Sequence, residues 1–259
     1  MTFETVLALS AMALVAGALI GSIGIGGVVV PPALVFALGF DPHIAAGTSS
    51  WSFLFTGVAG SLIYIRRGFM PWRMVILLTG GIVPAAVFGA TLNSSIPDAL
   101  AMVPLAILAL AAGGYQLFSP RRRGATDRRI PAAGLVCVGA VVGLASAATG
   151  TGGPFILVPI LLFLGVPVVT AVAAAQVIQV PLVIFASAGY ALHGDVDFAA
   201  GTLLGIVAIV GVYLGSRVAT RAPANRIRLF AGLSLFVIGV ALLIVNGIDL
   251  FAGSRDVRR

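Results

Sequence analysis

Charge is what this chain of 259 residues lacks. Only 9% of it is charged, against about 25% in an ordinary soluble domain, while 60% is hydrophobic. So little polar surface could not cover a soluble protein of this size. Lysine is missing altogether; the 15 basic residues are all arginine, and nothing in the sequence gives a physical reason for that. The arginines fall in short links between apolar runs rather than on a helix face or an aromatic-studded strand, so the net charge of +7 is a topology and headgroup signal and nucleic acid is excluded as a partner. The single cysteine, Cys137, rules out an internal disulfide and reads as a small buried hydrophobe. Acidic residues are absent from the interior of every apolar run: Glu4, Asp41, Asp98, Asp127, Asp195, Asp197, Asp249 and Asp256 are all terminal or in links. Pumps that relay protons bury a carboxylate or histidine in mid-span. The two histidines, His43 and His193, stand at segment ends and read as interfacial. No Cys/His cluster offers a metal site, no cofactor motif is present, and no Ser–His–Asp set or carboxylate pair is arranged for catalysis. "GIGGVV" is no dinucleotide loop either, because no strand–helix unit surrounds it. An enzyme is not expected.

What the chain does have is apolar length. Ten segments can be marked, at 4–22, 28–40, 44–65, 72–92 and 98–118, then 131–148, 154–166, 169–191, 198–216 and 227–247. This predicts an all-α, polytopic helical membrane protein. The N-terminus lacks the positive region of a signal peptide and reads as a retained first segment. The arginine-rich stretch 120–130 divides the chain into a first repeat, 1–119, and a second, 131–259.

A shift of 126 positions supports that division. Without a gap, Gly24, Gly26, Gly27, Gly39, Gly68, Gly89 and Gly113 land on Gly150, Gly152, Gly153, Gly165, Gly194, Gly215 and Gly239. Chance would supply about one or two such coincidences at this glycine content. Equivalent links carry opposite charge. "RRGFMPWR" (66–73) is positive where "LHGDVDFA" (192–199) is negative, and "NSSIPDA" (93–99) is slightly negative where "ATRAPANRIR" (219–228) is positive. Under the positive-inside rule the two members of each pair face opposite sides, the plan of an inverted-topology repeat. With both 66–73 and 121–129 cytoplasmic, both termini come out on the far side of a cell (inner) membrane.

Two places break the apolar pattern in the same way: Gly21–Ala33, "GSIGIGGVVVPPA", and Gly150–Pro159, "GTGGPFILVP". Irregular backbone at membrane depth needs protein or water to satisfy it. Glycine allows tight turns, and proline is tolerated in the first turn of the following helix. The expectation is a turn of exposed amides feeding a helix N-terminus, which attracts an anion. Inversion would bring two such ends to one site near the midplane, made by short segments that re-enter or complete broken helices. "GALIG" (17–21) and "GVYLG" (211–215) read instead as close helix packing.

The stretches "GIGGVVVPPALVFALGFDPHIAAGTSSW" and "GTGGPFILVPILLFLGVPVVTAVAAAQ" resemble the doubled signature of the TauE/SafE family of sulfite exporters and organosulfur-anion permeases, over nearly the whole chain. The resemblance implies transport of a small sulfur-containing anion, such as sulfite or a sulfonate, across the cytoplasmic membrane. The chain departs from the pattern in three places. Val28 and Pro154 stand where members usually carry a third consecutive glycine. The closing proline, matched by Pro159, falls one place early at Pro32. The small-polar triplet Gly47, Thr48, Ser49 is answered in the second half by Ala173, Ala174, Ala175 and then Gln176.

The candidate substrate-binding residues are therefore Gly24, Gly26 and Gly27 of the first turn, Gly150, Thr151, Gly152 and Gly153 of the second, and Thr48, Ser49, Ser50, Gln176 and Gln179 at matching depth in the helices that follow. Hydroxyls and amides donate to an oxyanion without the desolvation cost of a full charge. Arg66, Arg67, Arg73 and Arg217 stand at segment ends, where snorkelling explains them. Two other readings stay open: a permease for another small solute, and a non-transporting membrane assembly subunit.

Overall fold

A computed structural model describes residues 3–23, 26–68, 70–97, 100, 103–118, 130–219, 229, 233 and 236–244. Gly24, the arginine-rich stretch 121–129 and the basic stretch 220–228 lie outside the described residues.

The described residues are helical without strands. The helices are α1 (Phe3–Ile23), a 3₁₀ turn at Gly26–Val28, α2 (Val30–Leu38), α3 (Pro42–Arg66), α4 (Trp72–Asn93), α5 (Val103–Phe118), α6 (Ala132–Ala147), α7 (Pro154–Phe163), α8 (Val168–Ala191) and α9 (Phe198–Ala219), with a further helical stretch at 236–244. Three helices are long and apolar enough to cross a bilayer on their own reckoning, at Trp72–Asn93, Val169–Ala191 and Phe198–Arg217. The burial pattern is inverted relative to a soluble protein. Ile76, Phe88, Val141, Ile206 and Leu214 point outward, while Thr48, Ser49, Gln176 and Gln179 are buried. Hydrocarbon is the solvent for such a surface. Cys137 belongs to that outer face: contrary to expectation it is exposed.

Glycine sets the helix pairs, because a missing side chain lets backbones meet. A methyl added at Gly17 would overlap the Ala208 carbonyl, and one at Gly21 the Val212 carbonyl, so α1 and α9 run in the same direction. "GALIG" and "GVYLG" are thus packing faces, as expected, and they meet each other. Gly201 sits on Thr48 and Gly205 on Ser52, so α9 and α3 also share a direction. Gly81 on Val136 and Gly89 on Leu144 give the same relation for α4 and α6. The central pair differs: Gly47 lies on Tyr190, Gly57 on Gln179 and Gly60 on Gln176, so α3 and α8 are antiparallel.

These contacts recur at the 126-residue interval. Gly89 against Leu144 is matched by Gly215 against Ala18, and Gly143 against Ile82 by Gly17 against Ala208. The antiparallel pair α3 and α8 are themselves equivalents under that shift.

The shared direction of α1 and α3 explains the short segments. Between two helices running the same way, α2 must bring the chain back. Its nine residues, and the ten of α7, span about 13 to 15 Å, half of a hydrocarbon core of about 30 Å. Each is a return leg that starts from a glycine turn inside the bundle.

Candidate functional site

The second glycine turn follows α6 and is pinned from three sides. Tyr190 on α8 donates its hydroxyl to the Ala147 carbonyl. Asn93, at the end of α4, donates through Nδ2 to the Ala148 carbonyl at 2.8 Å, and its Oδ1 lies 2.9 Å from Nδ1 of His43. Ser49 on α3 places its Oγ 2.8 Å from the Gly150 carbonyl and 2.9 Å from that of Ala46. Thr149 bonds back to the Ala145 carbonyl at 2.8 Å and meets the Thr151 hydroxyl at 3.0 Å.

With its carbonyls tied down, the turn presents its nitrogens. Gly152 and Gly153 adopt φ of +78° and +102°, a region that L side chains rarely enter, and the chain then runs into Pro154 at the start of α7. Among the described residues, the amide N–H groups of Gly152, Gly153 and Phe155 meet no hydrogen-bond acceptor. Proline contributes no N–H, and φ near −65° suits it to this first helical position. Free amides and the positive end of the α7 dipole therefore lie together at the start of that helix.

The first turn meets the second there. Gly27 lies so close to the Thr151 carbonyl that a methyl group would overlap it, and Gly26 lies equally close to the Ala16 carbonyl. Val29 bonds to the Gly26 carbonyl at 3.2 Å, and Pro31 and Pro32 occupy the first turn of α2, as expected.

The polar residues of α3 separate by direction, since neighbours on a helix point about 100° apart. Thr48 faces the α8–α9 link, where its Oγ1 accepts from the Asp197 N–H at 2.9 Å. Ser49 faces the second turn. Ser50 is 1% exposed, and its Oγ has no partner among the described residues. On α8, Gln179 donates through Nε2 to the Phe53 carbonyl at 2.8 Å and to Thr56 Oγ1 at 2.9 Å, leaving its Oε1 buried and unpartnered. Gln176 lies farther along the α3–α8 seam, its Oε1 against Gly60, also unpartnered; its main-chain carbonyl accepts from Ser61 Oγ at 3.0 Å. The structure thus gathers Gly27, Gly150, Thr151, Gly152, Gly153, Ser49 and Gln179 around one point. Thr48 serves a helix link instead, and Gln176 sits on the far side of the crossing from Ser49.

Three contributors escape sequence reasoning. His43 stands at a segment end, yet it is 8% exposed and bonded to Asn93, so it helps to hold the second turn. Asn93 opens what reads as a polar link. Phe53 looks like any aromatic in an apolar run, yet its ring fills the space between the two turns. A lone asparagine closing an apolar segment was the one available signal.

A polar cleft of about 620 Å³ opens where the α2–α3 link meets the α8–α9 link, with Asp41 and Asp197 on its rim. Both carboxylates are committed to helix N-termini: Asp41 Oδ1 accepts from the His43 N–H at 2.8 Å, and Asp197 Oδ1 from the Ala200 N–H at 2.9 Å. Among the described residues no group of His, Cys, Asp or Glu could hold a metal ion.

Comparison with known proteins agrees with a transporter. The family model "Sulfite exporter TauE/SafE" matches residues 9–242. Two proteins of Xylella fastidiosa, from strains 9a5c and Temecula1 / ATCC 700964, are each named "Probable membrane transporter protein". Both are 27% identical over 240 residues, covering 88% of this chain and 90% of theirs. A Sinorhizobium sp protein named "Probable membrane transporter protein ORF9" is 25% identical over 248 residues, 94% of this chain and 93% of its own. No solved structure matches.

Proposed function

The chain belongs to the TauE/SafE family and is a multi-pass membrane transporter, and from that premise we propose that it carries a small sulfur-containing oxyanion, such as sulfite, sulfoacetate or another sulfonate, out across the cell membrane. The observation that carries this reading is the set of uncommitted amides at Gly152, Gly153 and Phe155, held inside the bundle against the first glycine turn. A tetrahedral or pyramidal oxyanion offers each of them an acceptor, and it gains from low dielectric and preformed geometry without a buried arginine.

Two inverted repeats, residues 1–119 and 131–259 joined by 120–130, build the site in this reading. The antiparallel run of α3 and α8 supports inversion, as does the recurrence of helix contacts at the 126-residue interval. Both termini then lie outside, and the acidic α8–α9 link and its cleft face the same side. A membrane potential, inside negative, drives an anion outward by about 2.3 kcal/mol per charge per 100 mV, so no buried carboxylate is required for export.

Reconstitution in proteoliposomes tests this. Saturable flux of labelled sulfite or sulfoacetate, with taurine and sulfate as comparators, is the expected outcome. Absence of saturable flux for every anion would favour the non-transporting subunit, and flux of an uncharged solute alone the general permease.

A further inference from the structure

We infer that Phe53 is the gate of this site and sets the size of anion it accepts. The inference rests on the anion-site reading above and adds a residue that the glycine signature does not contain. The ring stands between the two turns. Its Cζ is 3.6 Å from where a methyl on Gly27 would be, and its Cδ2 2.7 Å from the corresponding place on Gly152. It is 2% exposed, so it is held there by packing alone, with glycine on both sides.

The backbone beneath the ring is tied by hydrogen bonds, the ring by packing only. Gln179 and Thr56 both donate to the Phe53 carbonyl, at 2.8 and 3.2 Å. The phenyl group has no hydrogen bond of its own and two torsions to turn about. Position 53 shifted by 126 is Gln179, so the two meet where the halves cross, one offering a ring and the other a carboxamide. That carboxamide keeps one oxygen unpartnered, and Ser50, one turn earlier on α3, keeps its hydroxyl unpartnered. Buried polar atoms left so are costly; of the two, only the Ser50 hydroxyl can donate to an anion, because the Gln179 Nε2 hydrogens are already given to Phe53 and Thr56. With the ring in, hydrocarbon covers the second turn; with the ring turned away, an oxyanion takes its place. Ring and anion exclude each other, so the room that the ring vacates is the room the anion has.

Uptake of labelled sulfite and of benzenesulfonate into proteoliposomes, for wild type, Phe53→Leu and Phe53→Ala, reads this directly. The benzenesulfonate-to-sulfite ratio should rise by about tenfold or more in Phe53→Ala and by less in Phe53→Leu, the range that pocket size alone commands. An unchanged ratio in variants that still carry sulfite would overturn the gate and leave the transporter intact. A second measurement does not depend on flux or on tolerance of the truncation. In a Cys137→Ala background, the thiol introduced by Phe53→Cys should react about tenfold faster with anionic sulfonatoethyl methanethiosulfonate than with its cationic trimethylammonium analogue. Equal rates, or no reaction with either, would overturn the gate whatever the flux.

Discussion

At Gly152 there is neither room for a side chain nor a backbone to receive one: φ is +78°, and a methyl would stand 2.7 Å from the Phe53 ring. Gly152→Leu should leave the protein in the membrane fraction while lowering labelled sulfite uptake by about tenfold or more, since both the turn and the dipole end move. Gly26→Leu should do the same from the other half. Normal uptake by both would remove the turns from the mechanism. Asn93→Ala strips a donor from the Ala148 carbonyl and a partner from His43, a loss of about 1–3 kcal/mol for a buried group, read as a lower thermal midpoint in detergent. Legibility in the sequence follows chemistry here. Glycine beside proline in an apolar run has few other uses, so the turns can be read. Thr48, Ser49 and Ser50 cannot be ranked from letters, because a difference of 100° about a helix decides which of them meets the turn. Phe53 is invisible for a simpler reason: a gate and a core aromatic obey the same hydrophobic pattern.

Helices in this molecule are held by backbone contact. Gly215 on Ala18 and Gly89 on Leu144 are equivalent seams, each without space for even a methyl group. In hydrocarbon no hydrophobic force compensates for a lost fit. Gly215→Leu should therefore cost folding rather than affinity, giving a polydisperse profile by size-exclusion chromatography; a monodisperse protein with wild-type thermal midpoint would contradict the seam. Segment boundaries were readable to within a few residues, because apolar runs end at charged or Pro/Gly links: 72–92 became Trp72–Asn93 and 169–191 became Val168–Ala191. Whether the segments at 28–40 and 154–166 span or return was not readable, since length alone allows both. Helix direction decides it, and direction is a property of contacts. Pairing was equally hidden: the two glycine motifs "GALIG" and "GVYLG" announce packing faces but not that they meet each other.

Across the whole molecule, the claim with the widest reach is that equivalent links face opposite sides of the bilayer. A membrane-impermeant thiol reagent should label a cysteine placed at Gly68 from one side only and one placed at His193 from the other, in a Cys137→Ala background. Labelling of both from one side would refute inversion and with it the meeting of two re-entrant legs. The charge asymmetry of the links is what raises this expectation from the sequence, because arginine placement is a rule of the membrane rather than of the fold. The most direct test of the central claim is a density map of the protein with selenite, the heavier analogue of sulfite. An anomalous peak at hydrogen-bonding distance, about 2.7–3.1 Å, from the Gly152 and Gly153 nitrogens, with the Phe53 ring displaced, is the expected result. A peak elsewhere in the bundle, or none with the ring unmoved at saturating selenite, would contradict it.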